Sequence, residues 1–186
     1  IRGGERIIDL GGTARFWNDF DQDLDVTVVN LPGEGGHSSV SGNRAVTVIE
    51  GDACNLAHLD DGQFDIAFSN SVIEHVGDAA RRRQFAQEAR RLGRRYWVQK
   101  PSIWYPVEAH TYMPFWWFYP TALQNWFKAR WRRRLPAWTK MIDGTTVLPR
   151  AEVEELFPDA EIIVERSAFF VKSYIAFKSK TTPNQE

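Results

Sequence analysis

The sequence predicts an α/β fold: a seven-stranded, mostly parallel sheet with one antiparallel edge strand and helices on both faces. Three observations predict it. Short Val/Ile-rich runs alternate with helical or loop segments through the first half of the chain, as strands covered on both faces do. Small or polar residues stand at the ends of the first four runs. The last two runs, AEIIVERS and SYIAFKS, are joined by a link too short for a crossover, so they pair antiparallel.

Taken in order, RIIDL at 6–10 is a buried strand that stops at Gly11-Gly12, and FWNDF begins a short helix. DVTVVNL at 25–31 is the second strand, with β-branched residues throughout. Residues 32–45 have turn composition and no period, so they read as a loop. VTVIEGD at 46–52 and FDIAFSN at 64–70 are the third and fourth strands. Asp78 then N-caps a helix in which Phe85, Ala89 and Leu92 recur at i, i+4 and i+7, and Gly93 stands where a left-handed C-cap belongs. RRYWVQK at 94–100 is the fifth strand, stopped by Pro101. The segment 102–149 breaks the rhythm, and six of the eight tryptophans lie between positions 104 and 138. Within it Thr121 to Arg134 reads as a helix with Leu123, Trp126, Phe127 and Trp131 on one stripe. RAEVEELF at 150–157 is a short helix, and KTTPNQE is a frayed tail.

Composition bounds the class. The chain of 186 residues suits one domain, 1–186, with an aromatic-rich insertion at about 102–149. A net charge of −1 gives no whole-protein attraction to nucleic acid or an anionic membrane, so any such attraction is local. Cys54 is the sole cysteine, which excludes an internal disulfide and a cysteine cluster for zinc; no metal is implied. The absence of a signal-like or long apolar run predicts a cytoplasmic location. The start at Ile1, without a methionine and close to a strand, predicts that residues upstream are missing.

In open α/β sheets, ligands bind at the carboxyl ends of the strands, near the reversal in strand order. Those positions hold Asp9-Leu10-Gly11-Gly12, Asn30, Asp52-Ala53 and Ser69-Asn70-Ser71. Glycine lets the chain turn tightly and a ligand come close. Asn30 lies 21 residues after Asp9, about where an acid grips a ribose diol in a dinucleotide site. Asp52 can accept from an adenine amino group. Ordinary turn chemistry accounts for any one of these residues. The ordered set points to a nucleotide-type ligand, yet the phosphate fingerprint G-x-G-x-x-G is absent.

IIDLGGTARFW, VTVVN, VIEGDACNL and FDIAFSNSVIEHV resemble successive motifs of the class I S-adenosylmethionine-dependent methyltransferases, in particular the methyltransferase type 11 group. The resemblance covers about residues 5–101 and implies a Rossmann-like sheet. It implies that Asp9, Gly11 and Gly12 line the methionine part of the cofactor and that Asn30 meets the ribose. Asp52 and Ala53 bracket the adenine, and Ser69 and Asn70 lie below the sulfonium. S-adenosylmethionine has a ribose, an adenine and an amino acid but no phosphate, so no phosphate cradle is needed. The usual D-x-G-x-G-x-G reads D-L-G-G-T-A-R here, with Arg15 at the third glycine. Asn30 replaces an acid; an amide still accepts and donates, without the stronger charge-assisted bond. The expected function is methyl transfer to a small acceptor, apolar or lipid-linked. A non-catalytic binding or scaffold protein is the alternative from another class. A nicotinamide dehydrogenase is a weaker third, opposed by the missing fingerprint and the paired last strands.

Methyl transfer needs a base only where the acceptor must lose a proton. His75, just after the fourth strand, and His110, in PVEAHTYMPF, are the catalytic candidates, with Glu74 and Glu108 as groups that orient or assist. The plain alternatives are a packing role for His75 and a loop-fixing hydrogen bond for His110. His37 and His58 carry no assigned chemistry. Tyr105, Tyr112, Phe115, Trp116 and Trp117 either form an aromatic lid over an acceptor or pack the insertion against the sheet. NWFKARWRRRLPAW at 125–138 has five basic residues and no acid. It reads by default as a helix with one buried aromatic stripe. The other readings are peripheral membrane contact through 121–138 and a nucleic-acid surface, the last disfavoured because the rest of the chain is not basic.

Overall fold

A computed structural model describes residues 1–33, 39–41 and 44–179. Residues 34–38 and 42–43 of the glycine-rich loop, with His37, and the tail from 180 onward lie outside the described residues. The elements run β1 (Glu5–Leu10), α1 (Ala14–Trp17), β2 (Leu24–Asn30), β3 (Ser39–Ser41), β4 (Arg44–Glu50), β5 (Phe64–Asn70), α2 (Ala79–Leu92) and β6 (Gly93–Pro101). A 3-10 turn at Trp116–Phe118 follows, then α3 (Thr121–Arg132), α4 (Pro136–Gly144), α5 (Arg150–Leu156), β7 (Glu161–Ser167) and β8 (Phe170–Lys178).

The strands form one sheet in the order β3-β4-β2-β1-β5-β6-β8-β7. β4, β2, β1, β5 and β6 are mutually parallel, and β8 runs antiparallel to both β6 and β7. The strand order reverses about β1, where crossovers lead outward in both directions. The seven strands without β3 have the Rossmann-like arrangement of the class I methyltransferases. Two details refine the expectation. The reversed strand of the terminal hairpin, β8, sits one place in from the edge, with β7 outside it. At the other edge β3, from the segment read as loop, pairs antiparallel with β4.

Both faces of the sheet are covered, unequally. One face packs Ile8, Leu10, Phe64 and Val98 against Phe85, Ala89 and Leu92 of α2 and Val153 and Leu156 of α5. The other carries Ile7, Val26, Val28 and Phe68 under Trp17 of the four-residue α1. There Phe68 stacks on Trp97 with centroids 4.9 Å apart. Asp78 caps α2 as its sequence implies, accepting from Arg81 N–H at 2.9 Å. Gly93 is not a left-handed cap: at φ −100°, ψ 130° it is already the first residue of β6. A Cβ there would lie 2.4 Å from the Ala67 backbone nitrogen, so close strand approach explains the glycine.

The insertion differs most from expectation. α3 buries no residue; Leu123 is 40% and Trp126 58% exposed. Phe127 and Trp131 are half-buried, through ring contacts with Trp116 and, for Trp131, Trp138. The default of a buried aromatic stripe therefore fails for half of its members. α4 was not foreseen. It packs on α3, and Trp138 donates through Nε1 to the His110 carbonyl at 3.1 Å. No described helix is long and apolar enough to cross a membrane.

Candidate active site

A cleft of about 650 Å³ opens at the reversal point, lined by the ends of β1, β2 and β4 and roofed by α4. That volume is in the range of small-molecule sites. Gly11, Asn30, Asp52 and Ala53 line it, together with Ser71, Val72, His75 and Arg81; Ala137, Lys140, Met141 and Gly144 form the roof. Gly11 has φ +83°, and a Cβ would meet the Val72 side chain at 2.6 Å. Only glycine gives this turn together with this approach. Asn30 donates through Nδ2 to the Gly12 carbonyl at 2.9 Å, and its Oδ1 has no hydrogen-bond partner among the described residues. Asp52 takes both oxygens to the Arg81 guanidinium at 2.7 Å and accepts from Cys54 N–H at 3.0 Å. Partial burial opposes its charge, but the Arg81 and Cys54 bonds hold its carboxyl below the usual range.

Three residues assigned to the cofactor stand behind this wall. Asp9 is 1% exposed and accepts from Trp17 Nε1 at 2.7 Å; its Oδ1 has no hydrogen-bond partner among the described residues. Burial pushes its carboxyl up to about 7 against the Trp17 bond. Gly12 shields it, since a Cβ there would fall 1.8 Å from Asp9 Oδ2. Ser69 is fully buried and donates to the Leu10 carbonyl at 3.0 Å, tying β5 to β1. Asp9, Gly12 and Ser69 therefore shape the turn from beneath and do not line the cleft.

A second pocket, of about 380 Å³, lies beyond β5 and β6 under the insertion. Asn70 lines this one, with Tyr105, Tyr112, Trp116 and Trp117 among its aromatic walls and Glu74, Lys100, Glu108, His110 and Lys172 among its ionisable groups. Ser71 lines both cavities. It sits at φ +59°, unusual for a non-glycine residue, and bonds to Gln99 through N–H and hydroxyl.

The two histidines meet where the cavities meet. His75 Nε2 and His110 Nε2 are 2.9 Å apart, with the rings edge-on at 83°. His110 Nδ1 is 2.8 Å from Glu108 Oε1, and His75 Nδ1 is 3.3 Å from Thr145 Oγ1. The Thr145 hydroxyl donates to the Met141 carbonyl, so His75 carries its proton on Nδ1 and presents a bare Nε2. The proton between the rings then belongs to His110. The Glu108 bond raises the His110 pKa, whereas burial first, and the His110 charge second, push His75 down to about 4. Burial opposes the Glu108 charge too, but bonds from His110 and Thr111 keep that carboxyl below its ordinary range.

Glu74, expected to orient or assist, and Lys100, which the sequence reading did not single out, are the buried ionisable groups of this pocket. Glu74 is 2% exposed, neither carboxylate oxygen has a hydrogen-bond partner among the described residues, and burial raises its pKa to about 7. Lys100 is 3% exposed, donates to the Leu148 carbonyl and is lowered to about 8 by burial. An ionisable residue beside a strand end was the available signal; the return of 145–148 bonds to both, through Thr146 to the Glu74 carbonyl and through the Leu148 carbonyl to Lys100.

A family model described as a methyltransferase domain matches residues 11–95. The fold is shared with a Methanosarcina mazei S-adenosylmethionine-dependent methyltransferase, at 12% identity and TM-score 0.56 over 97% of this chain and 94% of that one. It is shared also with Haemonchus contortus phosphoethanolamine N-methyltransferase 2 in complex with S-adenosylmethionine, at 16% identity and TM-score 0.55. That match covers 89% of this chain and 35% of the other. A Rhodobacter sphaeroides protein described as a zinc-dependent alcohol dehydrogenase matches as well, at 12% identity and TM-score 0.58, over 96% of this chain and 86% of that one. No curated protein matches the chain. Fold alone does not select a chemistry; the domain match points to methyl transfer and spans β2, β4, β5 and α2, beginning at the Gly11 turn after β1. Residues 11–95 thus match a methyltransferase domain, and the chain shares its fold with solved S-adenosylmethionine-dependent methyltransferases.

Proposed function

We propose that the chain transfers a methyl group from S-adenosylmethionine to a small apolar or lipid-linked acceptor seated in the aromatic pocket behind Ser71. One observation carries the reading: the cleft at the strand reversal and the aromatic pocket share Ser71, with the His75–His110 pair at their junction. The cleft fits the cofactor's parts. Asn30 Oδ1 is open to a ribose hydroxyl, the Asp52–Ala53 segment to an adenine, and Gly11 to an amino-acid moiety. When bound, S-adenosylmethionine supplies an electrophilic methyl on a sulfonium. The chain's part is to align the acceptor and exclude water, a positioning role that can supply most of the rate. His75 and His110 handle the exchangeable group of the acceptor, a hydroxyl or its equivalent. With the cofactor in the cleft, its methyl group would pass to the acceptor atom, and the proton that this atom gives up would be taken by the His75–His110 pair.

The apolar character follows from Tyr105, Tyr112, Trp116 and Trp117 in the pocket wall. A lipid-linked acceptor and peripheral membrane contact through 121–138 are favoured by α3, whose exposed Leu123 and Trp126 accompany Lys128, Arg130 and Arg132 with no acid on the helix. The test uses labelled S-adenosylmethionine with quinol-like and lipid-linked hydroxyl compounds, beside small polar amines. Turnover of the first group, and cosedimentation with phosphatidylglycerol vesicles that Trp126→Ser weakens, is expected. Preference for the polar amines would contradict the apolar reading, and equal sedimentation of both variants would contradict the membrane contact.

A further inference from the structure

We propose that Glu74, His75 and His110 form a binding site for one divalent cation of the zinc type, placed where the two cavities meet. The inference deepens the methyl-transfer reading and rests on it for the cation's role, though not for its binding. One ligand atom from each residue lies within 4.8 Å of the other two. The two Nε2 atoms face each other at 2.9 Å, and His75 Nε2 is 4.0 Å from Glu74 Oε1. A cation about 2.05 Å from each nitrogen, the usual zinc–imidazole length, subtends roughly a right angle across that gap, and slight opening brings it to tetrahedral. Two imidazoles and a carboxylate suit zinc and its neighbours better than magnesium or calcium.

Two independent features favour a cation over a shared proton. The first is the carboxylate. With only a proton between the rings, both Glu74 oxygens stay buried without a partner, which native structures avoid. A cation between the nitrogens gives them one, and no other bond holds the carboxylate back. The second is the outer shell. Both Nδ1 atoms are engaged, His110 by Glu108 at 2.8 Å and His75 by Thr145 at 3.3 Å, which leaves both Nε2 lone pairs for metal. Carboxylate–histidine–metal relays of this form fix the ring and strengthen the ligand. Glu74 and Glu108 together balance the two positive charges, while the Lys100 ammonium is held by the Leu148 carbonyl. Three protein ligands leave a fourth position, facing the pocket, for an acceptor oxygen.

The experiment titrates tag-free, metal-stripped chain with Zn²⁺ by calorimetry, with and without S-adenosylhomocysteine. Saturable one-to-one binding tighter than about 1 μM is expected. Glu74→Gln and His110→Ala should each weaken it by more than about tenfold, and Glu108→Gln by about 10–100-fold. Should a variant fail to fold, Co²⁺ on the unaltered chain gives the tetrahedral or five-coordinate visible spectrum, and ¹⁵N shifts report coordination at both Nε2 atoms. Absence of saturable Zn²⁺ binding, a six-water cobalt spectrum, or affinity unchanged in both ligand variants overturns the site. S-adenosylhomocysteine binding without Zn²⁺ binding leaves the methyl-transfer reading standing and removes the cation. The reverse pattern keeps the cation and removes that reading.

Discussion

Replacing Gly12 with alanine is expected to destabilise the fold by about 3 kcal/mol and to weaken S-adenosylhomocysteine binding by at least about tenfold. The added Cβ would fall 1.8 Å from Asp9 Oδ2 and 2.3 Å from its Cγ. That carboxylate cannot step aside cheaply, since it is buried and bonded to Trp17 Nε1. Moving it sacrifices a buried hydrogen bond or displaces α1, which covers one face of the sheet through Trp17. The same shift moves the Gly12 carbonyl that orients Asn30. Gly3→Ala is the control: a Cβ there meets Asp23 at 3.8 Å, an ordinary contact, and a change near zero is expected. Urea unfolding and calorimetry measure both variants. If Gly12→Ala matched Gly3→Ala in stability and affinity, the assigned role of the Asp9–Gly12 contact would be wrong.

Replacing His110 with alanine is expected to lower kcat by about 10²-fold or more, the range for loss of a positioned acid–base group. S-adenosylhomocysteine affinity should stay within about twofold of the parent, because His110 lines the aromatic pocket and not the cleft proposed for the cofactor. The fold should tolerate the change: the His110 carbonyl that anchors Trp138 belongs to the backbone. Glu108→Gln removes the charge on His110 Nδ1 but keeps an acceptor, so a smaller loss is expected, about tenfold, with the pH–rate profile moved to lower pH. The sign follows from the Glu108 bond, which raises the His110 pKa. Without that carboxylate the imidazolium loses its proton at lower pH, and the profile follows. An unchanged kcat in His110→Ala would exclude the histidine pair from the reaction.

Much of the scaffold was legible because it rests on local signals. The β-branched runs that became β1, β2, β4, β5 and β6, and the antiparallel last pair, appear where their patterns place them. Gly11, Asn30, Asp52 and Ala53 follow strands, and strand order brings such ends together. Asp9 and Ser69 carry the same signal but are buried, because each lies one residue inside the end of its strand and both faces of the sheet are covered there. α4 was missed since its Leu135 start lacks a capping side chain, although Pro136 at the first helical position was a usable sign. The exposed half of the α3 stripe shows the limit of periodicity: it reveals which side chains share a face, not whether anything packs on that face. The Glu74–His75–His110 cluster depends on the loop at 108–110 and the Thr145–Leu148 return meeting β5, contacts no local pattern encodes.

The most direct measurement is calorimetric titration of the folded chain with S-adenosylhomocysteine, with NADH as control. One-to-one binding of the first at micromolar strength, about −8 kcal/mol, with none of the second, is the predicted result. Binding of NADH, or of neither compound, would contradict the account, the latter in favour of a scaffold that keeps the fold without the chemistry.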